Sequence, residues 1–226
     1  MDQAWTQNQL NVLQSTLIDQ ERINSGDLQA GEQRLVDITT ALEKYLVARY
    51  PDHSFVLLGL KDVFFQADTL SFRAVDEQGH EFHMVATAKQ ADLNDLTFTD
   101  GYYPIMMDTQ VKQYTLQLLE NAGIPGGKTT VWIYGAFNDA YNPALSIEDS
   151  IAEGHAFQVS GNIFLSKGNV PSVSAEELTN ALSGKGLTGT LSVWIMDVLP
   201  EGNAAATWIK DYCKLQNIQA INISIK

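Results

Sequence analysis

The interval between apolar residues changes along this chain, and each interval prescribes a different secondary structure. Leu35, Ile38, Leu42, Tyr45, Leu46 and Tyr50 recur every three or four residues, the period of one helical face. Leu70, Phe72 and Ala74 then alternate with Ser71 and Arg73, and Phe82, Met84 and Ala86 alternate beyond the turn Asp76-Glu77-Gln78-Gly79. That is the pattern of a half-buried β-hairpin. From Thr129 onward, strand-like runs (129–135, 157–166, 190–198, 220–226) alternate with helix-like runs (146–153, 175–183, 204–216). A chain that changes period in this way can be neither all-α nor all-β. The expectation is an α+β fold: a strand-rich N-terminal half with a hairpin and flanking helices, then alternating strands and helices forming a mixed sheet.

Local signals refine that outline. Residues 3–22 read as a helix with Trp5, Leu10, Leu13, Leu17 and Ile18 as its apolar positions, ended by Asn24-Ser25-Gly26. Pro51 stops the next helix, because proline disfavours helical geometry in the residue before it. Asp108 is the expected cap of a helix that buries Val111, Tyr114, Leu118 and Ala122 and stops at Gly123 and Pro125. Ser174 and Glu177 have the spacing of a capping box. Ile221, Ile223 and Ile225 alternate with Asn222, Ser224 and Lys226, so the last strand should have one wet face. Gly123 to Lys128 is the natural seam, which divides the chain into an N-terminal helical arm (1–30), an α+β half (31–127) and an α/β half (128–226), the two halves packed closely.

Charge narrows the function. Acids outnumber bases 27 to 14, a formal net charge of -13. Binding to nucleic acid or anionic lipid needs several cations on one face, and here the bases are thinly spread, the closest pairs being Lys44/Arg49 and Lys210/Lys214. Neither class of partner is expected, and no apolar run approaches a membrane span. Cys213 is the single cysteine, so no intramolecular disulfide can form. The start Met1-Asp2-Gln3 lacks the basic and apolar regions of a secretory signal. The expected location is cytoplasmic if Met1 is the natural start, and the cell surface if a leader has been trimmed.

Several motifs imitate chemistry. Gly126-Gly127-Lys128-Thr129 resembles the end of a phosphate loop, but Ala122 stands where that loop needs glycine. Gly184-Lys185-Gly186-Leu187-Thr188-Gly189 spells a dinucleotide fingerprint. Both are expected between a helix end and a strand start, the reverse of the strand-to-helix order that aims amide groups at phosphate. His80-Glu81-Phe82-His83 spaces its histidines three apart on an expected strand, which sends the rings to opposite faces, so surface or turn histidines are expected. Cys213 lies among Trp208, Ile209 and Tyr212, where a thiol acts as a small hydrophobe. No catalytic, metal-ligating or cofactor-binding residue is assigned, and no cofactor is expected.

Two stretches qualify as an interaction surface. Asp100-Gly101-Tyr102-Tyr103-Pro104-Ile105-Met106-Met107-Asp108 reads as an aromatic and thioether-rich loop bracketed by acids, with Asp100, Tyr102, Tyr103, Met106 and Met107 as contact candidates. The competing and favoured reading has these side chains seal the core edge. Trp132 and Tyr134 oppose Val131 and Ile133, and Trp194 and Met196 oppose Leu191, Val193 and Ile195. Strands apolar on both faces are ordinarily covered on both faces, and that reading is favoured here over an aromatic floor open to a ligand.

The order of elements resembles that of uncharacterised lipoprotein-like or secreted proteins of Gram-positive bacteria. The resemblance rests on Leu42-Glu43-Lys44-Tyr45-Leu46 followed by Tyr50, the hairpin around Gly79, Asp100-Gly101-Tyr102-Tyr103 and Ser146-Ile147-Glu148-Asp149. It spans residues 35–226 and implies no catalytic residue.

The leading expectation is a non-enzymatic binding or protein-interaction module with a protein or small-molecule partner. One rival is a hydrolase-type enzyme in which Asp100, Asp108 or a histidine converge from distant positions. Another is an oligomer subunit that docks through its N-terminal helix and buries Trp5 between chains.

Overall fold

The computed structural model describes residues 4–16, 19–61, 69–88, 95–170, 172–199 and 218–226. The expected helix at 204–216, with Cys213 and Lys210/Lys214, lies outside the described residues. The fold is α+β, and the chain divides into two compact units. The first comprises Met1–Ile105 and Ala136–Pro143, the second Met106–Gly135 and Ala144–Lys226. Gly123–Lys128 therefore lies inside the second unit, and residues 1–30 belong to the first.

The first unit holds an antiparallel sheet in the order β1 (Phe55–Leu60), β2 (Thr69–Asp76), β3 (Glu81–Ala88), β4 (Leu96–Asp100). The β2–β3 hairpin forms as its alternation predicts: Phe72 faces Met84 across the pair, Ala74 faces Phe82, and all four are buried. The expected helix over 3–22 is instead two, α1 (Gln7–Gln14) and α2 (Gln20–Ser25). Ser15 and Thr16 end the first by turning their hydroxyls back onto the Val12 and Leu13 carbonyls, both at 2.6 Å, a local bond that competes with the helix. Leu13 and Ile23 then pack with Val36 of α3 (Ala30–Arg49), and Trp5 lies against them with its indole N–H donating to the Ile23 carbonyl at 2.8 Å.

α1 also resolves a problem of the sheet. β1 is an edge strand, and an unpaired edge invites pairing with another chain. Here Asn8, Asn11 and Ser15, spaced along one side of α1 and its end, take up the edge groups. Asn8 Oδ1 accepts from the Leu57 N–H at 2.8 Å, Asn11 Nδ2 donates to the Leu57 carbonyl at 2.7 Å, and Ser15 Oγ accepts from the Leu60 N–H at 3.0 Å. Gly59, at φ 126°, permits the approach, since a Cβ there would meet Ser15 Cβ at 2.7 Å.

The second unit is built on a mixed sheet in the order β5 (Gly127–Thr129), β7 (Phe157–Ser166), β8 (Leu187–Met196), β9 (Ile221–Ile225), with β6 (Trp132–Tyr134) also on β7. α5 (Ile147–Ala152) precedes β7; among the described strands only β7 and β8 run parallel, joined through α6 (Ala175–Leu182), which begins with the expected Ser174/Glu177 capping box. The single strand expected over 129–135 is two short ones, in the same register against β7 and broken opposite Gly161. A Cβ on Gly161 would lie 2.6 Å from the Thr130 carbonyl oxygen, so the backbones approach there more closely than a regular ladder of larger residues allows. One face of this sheet carries Val131, Ile133, Val159, Ile163, Leu191, Val193 and Ile223, all buried. The other face is described below.

The stretch 100–108 is not a loop. α4 (Tyr102–Asn121) starts at its third residue, and the acid serving its N-terminus is Asp100, not Asp108. Pro104 is accommodated because the first turn of a helix leaves its N–H groups without intrahelical partners, so a missing one costs nothing. The two glycine motifs lie where expected: 126–129 follows α4 and enters β5, and 184–189 follows α6 and enters β8.

Candidate functional site

Asp100 ends β4, and its carboxylate gathers donors from two parts of the first unit, the end of α3 and the start of α4. Oδ1 accepts from the Tyr102 and Tyr103 amides at 3.1 and 2.9 Å, which satisfies free N–H groups of α4. It also accepts from the Tyr50 hydroxyl at 2.8 Å. Oδ2 accepts from the Tyr45 hydroxyl at 3.1 Å and lies 3.0 Å from Arg49 Nε. The Asp100 side chain is 0% exposed and that of Arg49 6%. Arg49 further donates to the Tyr141 carbonyl at 2.6 Å and sits 5.5–5.8 Å from the ring centres of Tyr45, Tyr50 and Tyr103. Tyr103 in turn stacks on Phe137 with centroids 5.0 Å apart. Burial, followed by the Asp100 charge, raises the Tyr45 and Tyr50 hydroxyls far above the ordinary phenol value, so both remain neutral donors. This cluster anchors the C-terminus of α3, the start of α4 and residues 136–143. A carboxylate whose lone pairs are all engaged has none left for proton transfer to a substrate.

Tyr102 organises a second group beside the hairpin turn. Its ring contacts those of Phe55, Tyr50, Phe82 and His53 at centroid distances of 4.8, 5.0, 5.1 and 5.3 Å. His53 Nδ1 lies 2.9 Å from Glu77 Oε1 and 2.9 Å from the Tyr102 hydroxyl. A carboxylate only accepts, so Nδ1 carries the proton and shares it between the two oxygens. Burial, then the Asp76 and Glu77 charges, push the Tyr102 hydroxyl up to about 12, which leaves it protonated and without nucleophilic character near neutrality. Asp76 fastens the turn by accepting from the Gln78 and His80 amides and lying 2.8 Å from His80 Nδ1. His80 and His83 are exposed, as their turn and strand positions predict. Among the described residues, no group of three or more His, Cys, Asp and Glu side chains is placed to hold a metal ion, and no helix is long and apolar enough to cross a membrane.

Asp100, Tyr102, Tyr103 and Met107 are thus core residues, each at most 3% exposed, and Met106 is half-buried. Trp132 and Tyr134 differ. They stand 45% and 44% exposed on β6, which overturns the expectation that both faces of this strand are covered. β6 is at the sheet's edge, and alternation cannot show whether a strand is central or peripheral.

The strand register defines what surrounds these rings, because directly paired residues share a face. Trp132 heads a row across the sheet with Ser160, Thr190 and Ser224. Tyr134 heads the next with Gln158 and Thr188. On the other side of the Trp132 row lie Asn162, Ser192 and Asn222. In this last row Asn162 Oδ1 accepts from the Trp194 indole N–H at 3.0 Å, its Nδ2 donates to Thr130 Oγ1 at 3.3 Å, and Ser192 Oγ donates to Asn222 Oδ1 at 2.9 Å. Trp194 itself is half-buried and packs with Phe164, Met196, Leu199 and Ile218. The three rows carry amides, hydroxyls and two aromatic rings, and neither an acid nor a base; Lys128, paired with Phe164, and the exposed Lys226, which follows Ser224 by two on the same side, mark the margins. Gln158, Thr190, Asn222 and Ser224 are exposed together with Trp132 and Tyr134.

No family model matches the sequence, and no curated protein matches it. Among solved structures the chain is similar to a DUF5037 family protein from Ruminococcus gnavus, at 13% sequence identity and a TM-score of 0.34 over 80% of this chain and 81% of that one.

Proposed function

We propose that the protein is a non-enzymatic binding module whose contact surface is the exposed part of the second sheet's polar face, centred on Trp132 and Tyr134. The observation that supports this reading is the exposure of both rings, 45% and 44%, two residues apart on one strand. Keeping aromatic surface in water forgoes about 25 cal/mol for each Å² that burial would remove from solvent. Single exposed hydrophobes are common, but two large rings side by side on one sheet face form a patch of the kind that marks contact sites. The acids and histidines of the first unit favour no rival role: Asp100 is engaged by five donors, and Tyr102 is a neutral phenol packed among rings.

The test compares wild type with the Trp132→Ala/Tyr134→Ala variant, each fluorescently labelled, on arrays of immobilised glycans and peptides. Both side chains are exposed, so the variant should melt at the wild-type temperature within a degree or two, as surface substitutions do. The reading predicts retention of the wild type on one class of ligand and a loss of at least about tenfold in the variant, the size expected for aromatic hot spots. Equal retention of the two proteins contradicts it.

A further inference from the structure

We infer that the ligand of this face is a neutral glycan chain, an inference that rests on the binding role proposed above. Three properties of the face select that class. The first is charge. The paired rows headed by Trp132 and Tyr134, and the row of Asn162, hold no ionic side chain, and Lys128 and Lys226 stand at the margins of the face, although the chain as a whole carries 41 ionisable acids and bases, 27 and 14. A phosphorylated or acidic ligand would find no cation beside the two rings, only Lys128 and Lys226 at the margins, and would be repelled by the net charge of -13, whereas an uncharged ligand feels neither. A basic ligand would find no carboxylate.

The second property is the kind of polar group. Ser160, Thr190, Ser224, Gln158 and Asn222 offer hydroxyls and primary amides, each of which both donates and accepts. Sugar hydroxyls need such partners, since each of them also does both. Aromatic faces carry negative potential and attract the weakly positive C–H edges of an apolar ring face. A pyranose presents C–H groups on its broad faces and hydroxyls around its rim, so rings flanked by amides and hydroxyls complement it in both respects.

The third property is shape. Drug-sized ligands bind in concavities that enclose most of their surface. This site is a sheet face with strands about 4.8 Å apart and Trp132 and Tyr134 roughly 7 Å apart along one strand. Such a surface suits an extended chain lying across it. It is also preorganised, since Asn162 is held from both sides by Trp194 and Thr130 and Ser192 is tied to Asn222. An extended peptide is the poorer fit: it would add a strand along the edge of β6 and read alternate side chains in pockets there, whereas the polar rows run inward from that edge across β7, β8 and β9.

The experiment is isothermal titration of the whole chain with soluble, uncharged oligosaccharides: the hexasaccharides of β-1,4-glucose, β-1,4-xylose, β-1,4-mannose and α-1,4-glucose. At least one should bind, with Trp132→Ala and Tyr134→Ala each weakening it at least about tenfold. Thr190→Val, which removes a hydroxyl at nearly constant volume, should weaken it several-fold. Affinity should change less than about twofold between about 0.05 and 0.5 M salt, because no ion pair contributes. Failure of every oligosaccharide to bind, undiminished binding by the Trp132 variant, or a salt-induced loss beyond about tenfold would each overturn the glycan assignment. If no sugar binds but peptides are retained on the arrays in a Trp132-dependent way, the glycan inference falls and the binding face stands. If neither class is retained, both fall.

Discussion

Arg49 Nε and Asp100 Oδ2 lie 3.0 Å apart, with 6% and 0% of their side chains exposed, at the point where α3 ends and α4 begins. Removing one member of such a pair leaves a buried charge without its partner, which typically costs about 3–5 kcal/mol. Asp100→Ala should therefore lower the urea unfolding free energy by about that amount, since it also removes the acceptor for the Tyr45 and Tyr50 hydroxyls. Arg49→Met should cost a similar amount, and the double variant should cost less than the two single losses together. Strict additivity in that double-mutant cycle would show that the two side chains do not interact.

The edge of β1 gives an independent prediction. Asn8→Ala, Asn11→Ala and Ser15→Ala each leave a backbone group of β1 without its partner, for a loss of about 1 kcal/mol apiece in urea unfolding. The triple variant should also self-associate, because the freed edge can pair with another chain. A triple variant that remains monomeric by light scattering would contradict the protective role of α1.

Alkaline behaviour should depend on Tyr102. Its hydroxyl is raised from 10.0 to about 12, so stability gained by keeping it neutral is fully present below 10.0 and is lost as the pH rises toward 12. The unfolding free energy of the wild type should consequently fall more steeply than that of Tyr102→Phe as pH climbs from about 9 to about 11.5. Parallel curves would contradict the assignment.

The hairpin turn carries the opposite dependence. For Asp76, burial alone would raise the carboxyl, but the hydrogen bonds from His80 and Gln78 outweigh it and hold the group below 3.8; for Glu77, its own backbone amide and then His53 and Ser54 hold it below 4.5. A depressed carboxyl stabilises the fold above its unfolded value and ceases to do so as pH falls through the folded one. Acid unfolding followed by circular dichroism should therefore begin at a higher pH in Asp76→Asn than in wild type, where the loss falls below about 4. An unchanged acid midpoint would show that the turn does not depend on this carboxylate.

What the sequence discloses about this molecule is what can be computed from neighbours. The Leu70–Ala74 and Phe82–Ala86 alternation, the Ser174/Glu177 box and the wet face of β9 each depend on residues within a few positions, and each is present. Asp100 was legible only as an acid in an aromatic stretch, because its partners Tyr45, Arg49 and Tyr50 stand about fifty positions earlier in the chain. The following helix was hidden by Pro104, a residue that breaks helices everywhere except in the first turn, where it sits. A signal was present even so, since an aspartate just ahead of two amides that need acceptors is a helix start. The neutral face around Trp132 was half visible. Gln158, Ser160 and Asn162 alternate with apolar or small residues, as do Thr188, Thr190 and Ser192, but only the register of four strands puts them beside Trp132 and Tyr134.

The most direct test of the binding face is a two-dimensional NMR spectrum of the tryptophan indole N–H groups, recorded while an oligosaccharide that binds by calorimetry is titrated in. The account predicts that the Trp132 signal moves progressively with ligand, while that of Trp5, bonded to the Ile23 carbonyl in the first unit, stays in place. A Trp132 signal that remains still at saturation would contradict it.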